Sequence, residues 1–236
     1  AVQWAFIAES KSMENCAAMA GVDEAGVSWG NEYDARVDEV LRLAATLCEG
    51  LQNLGGVIMQ AGFNYELADY YSTSNPAGAA PTMRSVPSPI CRYFGQIPSA
   101  GGPSQGLRDA VDTAIKIADK LSIPIPDGDT DKLSTAASAW GRLQRDYMVR
   151  IGTVMGKAAV TMDAVVAADA DIIRDKLNGM QSTVDDLLAA CGELSTMCSD
   201  QKTELETLRK QTLKLFWKNS LLHCWPKLSS LRRRLG

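Results

Sequence analysis

From Tyr33 to Tyr65 the apolar residues advance in alternating steps of four and three: Tyr33, Val37, Val40, Ala44, Leu47, Leu51, Leu54, Ile58, Ala61 and Tyr65. A repeat of about 3.5 residues held for that long is the seam of a helix, and it commits the chain to packing helix on helix. Gly50, Gly55, Gly56 and Gly62 interrupt the run. Each costs up to about 1 kcal/mol inside a helix, so the rod needs a packed neighbour to stay helical. Residues 2–19 supply a shorter stripe of Val2, Ala5, Ala8, Met13, Cys16 and Met19, and 21–30 reads as the turn between them, with Trp29 at its exit.

A second unit opens at 127. Leu133, Ala137, Trp140, Leu143, Tyr147, Ile151 and Val154 share one helix face, loosening at Gly152 and Gly156. Another four-three seam follows through Ile173, Leu177, Met180, Val184, Leu187, Cys191, Leu194 and Cys198, and continues to Leu205, Leu208 and Leu215. A helix from 162 to 216 is on the order of 80 Å long. Its facing helix is barely half that length, so the distal seam must find another partner or fray. Between the units, 74–104 holds most of the nine prolines and reads as a linker. After it, 106–123 reads as a short amphipathic helix ended by Pro124 and Pro126.

The 46% hydrophobic and 6% aromatic content of the 236 residues agrees with a helical core. The net charge of −4 is uneven, with nine Lys/Arg against two Glu from Gln201 onward. The stretch 213–236 mixes Phe216, Trp217, Leu221, Leu222 and Trp225 with cations, a pattern that fits an anionic membrane surface, an acidic bundle, or an end outside the packed domain. Pro226 is expected to stop any long helix there. No run reaches the roughly 20 apolar residues of a membrane-spanning helix, and the apolar opening lacks the basic lead of an export signal. The chain is therefore cytosolic or leaves by a route that reads folded structure. It opens on Ala1 rather than Met, so further residues upstream are expected.

Chemistry-bearing groups are sparse. The six cysteines, Cys16, Cys48, Cys91, Cys191, Cys198 and Cys224, lack the spacing of a zinc site and read as free thiols, with Cys91 able to reach Cys16 or Cys48 under oxidising conditions. The lone histidine, His223, stands beside Cys224 without an orienting third group, which argues against catalysis. DGDTD at 127–131 imitates a calcium loop, but Lys132 takes the place of the obligatory glycine and Ser138 that of the bidentate Glu. It reads instead as a helix start, capped by Asp129 or Thr130. No catalytic residue, cofactor, metal or nucleic-acid partner is expected.

Trp29 and Gly30 before the seam, with Tyr65 and Asp69 four apart near its end, resemble the helix–turn–helix proteins of the WXG100 type carried by type VII secretion. The order of CAAMAGVDEAGVSWGNEYD (16–34), LQNLGGVIMQAGFNYELADYYS (51–72), the Pro-rich stretch and DGDTDKLSTAASAW (127–140) is similar to the N-terminal channel domain of mycobacterial channel proteins that carry a necrotizing toxin. The likeness runs over roughly residues 13–200. Residues 1–12 lack the family's long Ala/Gly-rich first helix, and the basic stretch stands where later helices and a toxin would follow.

The resemblance implies an all-α, WXG100-like pair of elongated hairpins, 1–73 and 105–216, joined by 74–104 and followed by a basic tail, 217–236. It implies a non-catalytic export and assembly domain, secreted or in the cell envelope. Its partners are small WXG100-type proteins, the secretion machinery and a possible membrane contact. Tyr65 and Asp69 are the implied secretion signal, Trp29 and Gly30 the turn motif, and Trp140 the core of the second unit. Tyr65 lies on the seam and is expected to pack; Asp69 lies off it and is expected to face out. The alternatives are a channel module, touching membrane through 106–123 and the tail, and a cytosolic coiled-coil scaffold.

Overall fold

The computed structural model describes residues 1–85, 94–101 and 126–232, with side chains as far as 214. The fold class is all-α, and no β-strand occurs among the described residues. The elements are α1 (Val2–Ser12), α2 (Glu24–Ser72), α3 (Thr130–Arg142), a π-helical stretch (Leu143–Met148), α4 (Val149–Met162) and α5 (Ala170–Arg232). The expected helix 106–123, Cys91 and the side chains of the tail, Cys224 and His223 included, lie outside the described residues.

The compact units are not the sequential hairpins expected from the sequence. One gathers Ala1–Lys11, Val37–Gln96 and Ala139–Glu193; the other gathers Ser12–Arg36, Ile97–Ser138 and Leu194–Gly236. Both α2 and α5 contribute to each unit, because a seam longer than one core is shared between two.

In the first unit Phe6 of α1 is fully buried with its ring edge-on to Phe94 at 5.8 Å and to Trp140 at 6.4 Å. Trp140 therefore packs against α1, not only within its own stretch of chain. The α2 seam is buried at Val40, Ala44, Leu47 and Leu54 and opens beyond them, while the facing α5 seam is buried at Val184, Leu187 and Cys191. A bidentate ion pair joins α1 to α3: Arg142 Nη2 lies 2.6 Å from Glu9 Oε2, and Arg142 Nε donates to both oxygens at 3.1 Å. Glu9 is buried, so the guanidinium supplies what water would otherwise give its carboxylate.

In the second unit the expected helix 2–19 stops at Ser12. Residues 13–20 spend their backbone groups on other segments: Ala18 N–H donates to Ser99 O, Ala20 N–H to Ala100 O, and Met19 O accepts from Asp129 N–H at 2.8 Å. The Pro-rich stretch is thus packed in part, with Phe94 buried in the first unit and Ala100 in the second. Gly21 adopts φ +88°, and a Cβ there would lie 2.2 Å from Asp127 Oδ1, so only glycine fits.

Helix starts follow their caps. Asp129 Oδ1 accepts from the amides of Asp131 and Lys132 at 3.0 Å and opens α3, as its sequence position suggests. Asp23 Oδ1 accepts from Gly26 N–H at 3.0 Å and opens α2 at Glu24. The turn predicted over 21–30 is therefore shorter, and Trp29 and Gly30 lie inside α2 rather than at a turn exit.

The long C-terminal helix begins at Ala170, not near 162, because Asp163 to Asp169 interrupt the chain after α4. It also continues through Pro226 to Arg232, forgoing the hydrogen bond that proline cannot donate. Leu194, Cys198 and Leu205 do not outrun a partner: they are buried in the second unit, and only Leu208 of that group is exposed. Ser195 Oγ donates to Ala137 O at 2.8 Å on the same face. Further along, Arg209 Nε donates to Pro126 O at 3.2 Å and Nη2 also reaches Gly128 O.

Candidate functional site

Tyr65 and Asp69 stand one turn apart on the last turns of α2, in the first unit, and both are exposed. The expectation that Tyr65 packs is overturned, since its side chain is 48% exposed. The seam rhythm carries its Cα to the right phase, but no other described segment covers the ring there. Its position is fixed by a polar contact instead: Tyr65 Oη donates to Asp169 Oδ1 at 2.8 Å across 104 positions of sequence. That carboxylate, together with some desolvation, raises the phenol above its ordinary range, with the Ala168 backbone pulling the other way. Asp69 accepts through its main-chain carbonyl from Thr73 Oγ1 at 3.0 Å, and the residue is exposed.

The surroundings of this pair carry more apolar surface than its sequence suggests. Tyr71 is 73% exposed and stands edge-on to Tyr70, whose hydroxyl donates to Gly78 O. In the connector after α4, Val166 is fully exposed. Arg174 pairs with Asp163 at 3.2 Å and with Asp171 at 2.8 Å, closing the connector onto the start of α5.

Trp29 and Gly30 belong to the other unit. The Trp29 ring stacks on buried Tyr33, with centroids 5.2 Å apart. Gly30 makes room for a neighbour: a Cβ there would lie 3.2 Å from Ala20 Cβ and 3.4 Å from the Gly101 backbone. One turn on, Asp34 clamps that neighbour, accepting from Ala100 N–H at 2.8 Å and from the Ser99 hydroxyl. Here Gly30 and Asp34 hold the segment 99–101 on α2, a role that a local reading of Trp-Gly does not reveal.

Two grooves flank α4 in the first unit. One, of about 570 Å³, is lined by Val2 and Trp4 of α1, Cys48, Gly55 and Met59 of α2, and Val154 of α4. The other, of about 770 Å³, is lined by Val149, Gly152, Gly156 and Val160 of α4 with Gln181 and Asp185 of α5. Val149, Val154 and Val160 are each half or more exposed, and α4 carries Arg150 and Lys157 but no carboxylate.

The four described cysteines, Cys16, Cys48, Cys191 and Cys198, are free and buried. Burial pushes the thiols of Cys191 and Cys198 up to about 12 and raises Cys16 and Cys48 as well, so each is held as a neutral thiol. Among the described residues no group of three His, Cys, Asp or Glu could hold a metal ion, and no helix is long and apolar enough to cross a membrane.

Asp169 and Asp34 escaped the sequence reading. Asp169 had a faint signal, a carboxylate just before an apolar-periodic run, where helix starts are found. Nothing in the sequence pairs it with Tyr65 or pairs Asp34 with Ser99.

No protein-family model matches the chain, and no solved structure matches it. It is 25% identical over 205 residues to the outer membrane channel protein CpnT of Mycobacterium tuberculosis, and to its counterpart in Mycobacterium bovis. The match covers 86% of this chain and 24% of each relative. It is also 28% identical over 130 residues to Mav of Mycobacterium avium, a protein provisionally named an NAD(+)–arginine ADP-ribosyltransferase, covering 55% of this chain and 15% of Mav. The chain thus spans about a quarter of the length of the channel proteins, and over most of its own length it is similar to them.

Proposed function

We propose that this chain is the non-catalytic helical export and assembly region of a secreted, toxin-like protein, carried by type VII secretion with small WXG100-type helical proteins as partners. The observation that carries this reading is the similarity to outer membrane channel proteins over 86% of the chain. The exposure of Tyr65 and Asp69 on the last turns of α2 supports it, because a signal must be reachable while the fold is intact. The neutral buried thiols support a structural rather than a nucleophilic use of the cysteines. The test is export of the intact chain from a mycobacterial host, measured in culture filtrate beside a lysis marker. Asp69→Asn abolishes export and leaves helicity unchanged, while Glu66→Gln, which removes the same charge three residues earlier, exports normally. Equal export of Asp69→Asn and wild type sinks the reading, and retention of the wild-type chain in cells with an intact secretion system favours a cytosolic scaffold.

A channel role is the second reading, favoured by the name of the relatives and by the exposed valines and the cations Arg150 and Lys157 of α4. Release of dye from anionic vesicles by the purified chain, reduced by Val154→Asp and Val160→Asp, supports it. Intact vesicles at the same protein-to-lipid ratio remove it.

A further inference from the structure

Asp169 sits immediately before α5, and its carbonyl accepts from Ile173 N–H at 3.0 Å as the first hydrogen bond of that helix. A carboxylate in this place ordinarily caps the helix amides. Its Oδ1 instead accepts the hydroxyl of Tyr65. An exposed tyrosine on a helix surface normally samples several rotamers, and a docking partner must freeze it at an entropic cost. The bond to Asp169 fixes the ring in advance.

We propose that Asp169 is a positioning residue for the docking of Tyr65 and Asp69, making the connector after α4 part of one composite surface that fits a protein partner with a cation-rimmed apolar pocket. This rests on the export reading above. The charges on the page select that chemistry: Asp69, Asp163, Asp169 and Asp171 carry four negative charges, and Arg174 is engaged by two of them. The half-exposed Tyr65 ring and fully exposed Val166 supply the apolar element, which an aromatic-accepting pocket would cover.

The test is a double-mutant cycle on export of the full chain, with melting temperature recorded for every variant. Tyr65→Phe keeps the ring and removes the donor; Asp169→Ala keeps the donor and removes the acceptor. Each lowers export by about threefold to tenfold, the range an ordinary hydrogen bond carries. The double variant falls no further than either single one. Asp169→Asn retains an acceptor oxygen and restores export, which a loss of charge alone would not allow. Melting temperatures stay within the spread of replicate wild-type preparations. Normal export of Asp169→Ala while Asp69→Asn is retained in the cell overturns the positioning role and leaves the export reading standing. Additive losses in the double variant overturn it as well. Normal export of Asp69→Asn removes both together.

Discussion

Trp29–Gly30 and Tyr65–Asp69 ride on the same helix and have opposite surroundings. At the first pair the helix is covered: Tyr33 beneath Trp29 is buried, and residues 99–101 close over Gly30 under the hold of Asp34. At the second pair the helix is open, and one hydrogen bond to Asp169 orders the tyrosine. The difference teaches that a heptad seam fixes the phase of a residue but not its burial. Burial requires a second surface, and α2 has one at Leu47 and lacks one at Tyr65.

The largest effect is expected where the unit that carries the open pair does have a second surface, around Phe6. Trp140→Ala removes a fully buried indole beside Phe6 and is expected to cost about 3–5 kcal/mol, read as a fall in the urea midpoint. A midpoint within error of wild type would show that α1 does not close over the ring. At Gly30 a larger side chain must displace Ala20 and the Gly101 backbone. Gly30→Leu is therefore expected to cost about 1–3 kcal/mol, the usual penalty of overpacking, with faster proteolysis within 94–101. Resistance to protease equal to wild type would show that the segment does not depend on that gap.

Alkaline titration probes burial in each unit at once, since Cys191 lies in one and Cys198 in the other. Burial pushes both thiols up to about 12 in the folded chain, against an ordinary value of 9.0. A raised folded pKa means that the native state holds the proton longer. The stability is whole below pH 9 and is lost progressively as pH rises toward 12. The urea midpoint should fall across that window, and Cys198→Ala should flatten the fall. A midpoint that does not move there would place the thiols in water.

The smallest structural effect is expected on the open side. Tyr65→Ala and Asp69→Asn should both melt with wild type, because neither side chain is part of a core, yet both are expected to stop export. Helicity by circular dichroism and secretion from one set of cultures decide this. Loss of melting temperature in Tyr65→Ala alone would mean that the end of α2 is closed in solution and would erase the contrast.

Much of the architecture was legible in the residues themselves. The four-three spacing of Tyr33 to Leu54 and of Ile173 to Cys198 determined two long helices, and Asp129 determined where α3 starts, since periodicity and capping are local properties. Other outcomes belonged to the tertiary structure. The end of α1 at Ser12 was decided by Ser99, Ala100 and Asp129, which take backbone hydrogen bonds of Ala18, Ala20 and Met19. The cover over Leu194 and Leu205 came from segments far away in sequence. The contact of Tyr65 with Asp169 spans 104 positions, and Asp34 reaches Ser99 across 65. A spacing rule sees only neighbours along one helix, and which distant segment meets them is settled by how the whole chain buries its apolar surface and satisfies its backbone at the same time.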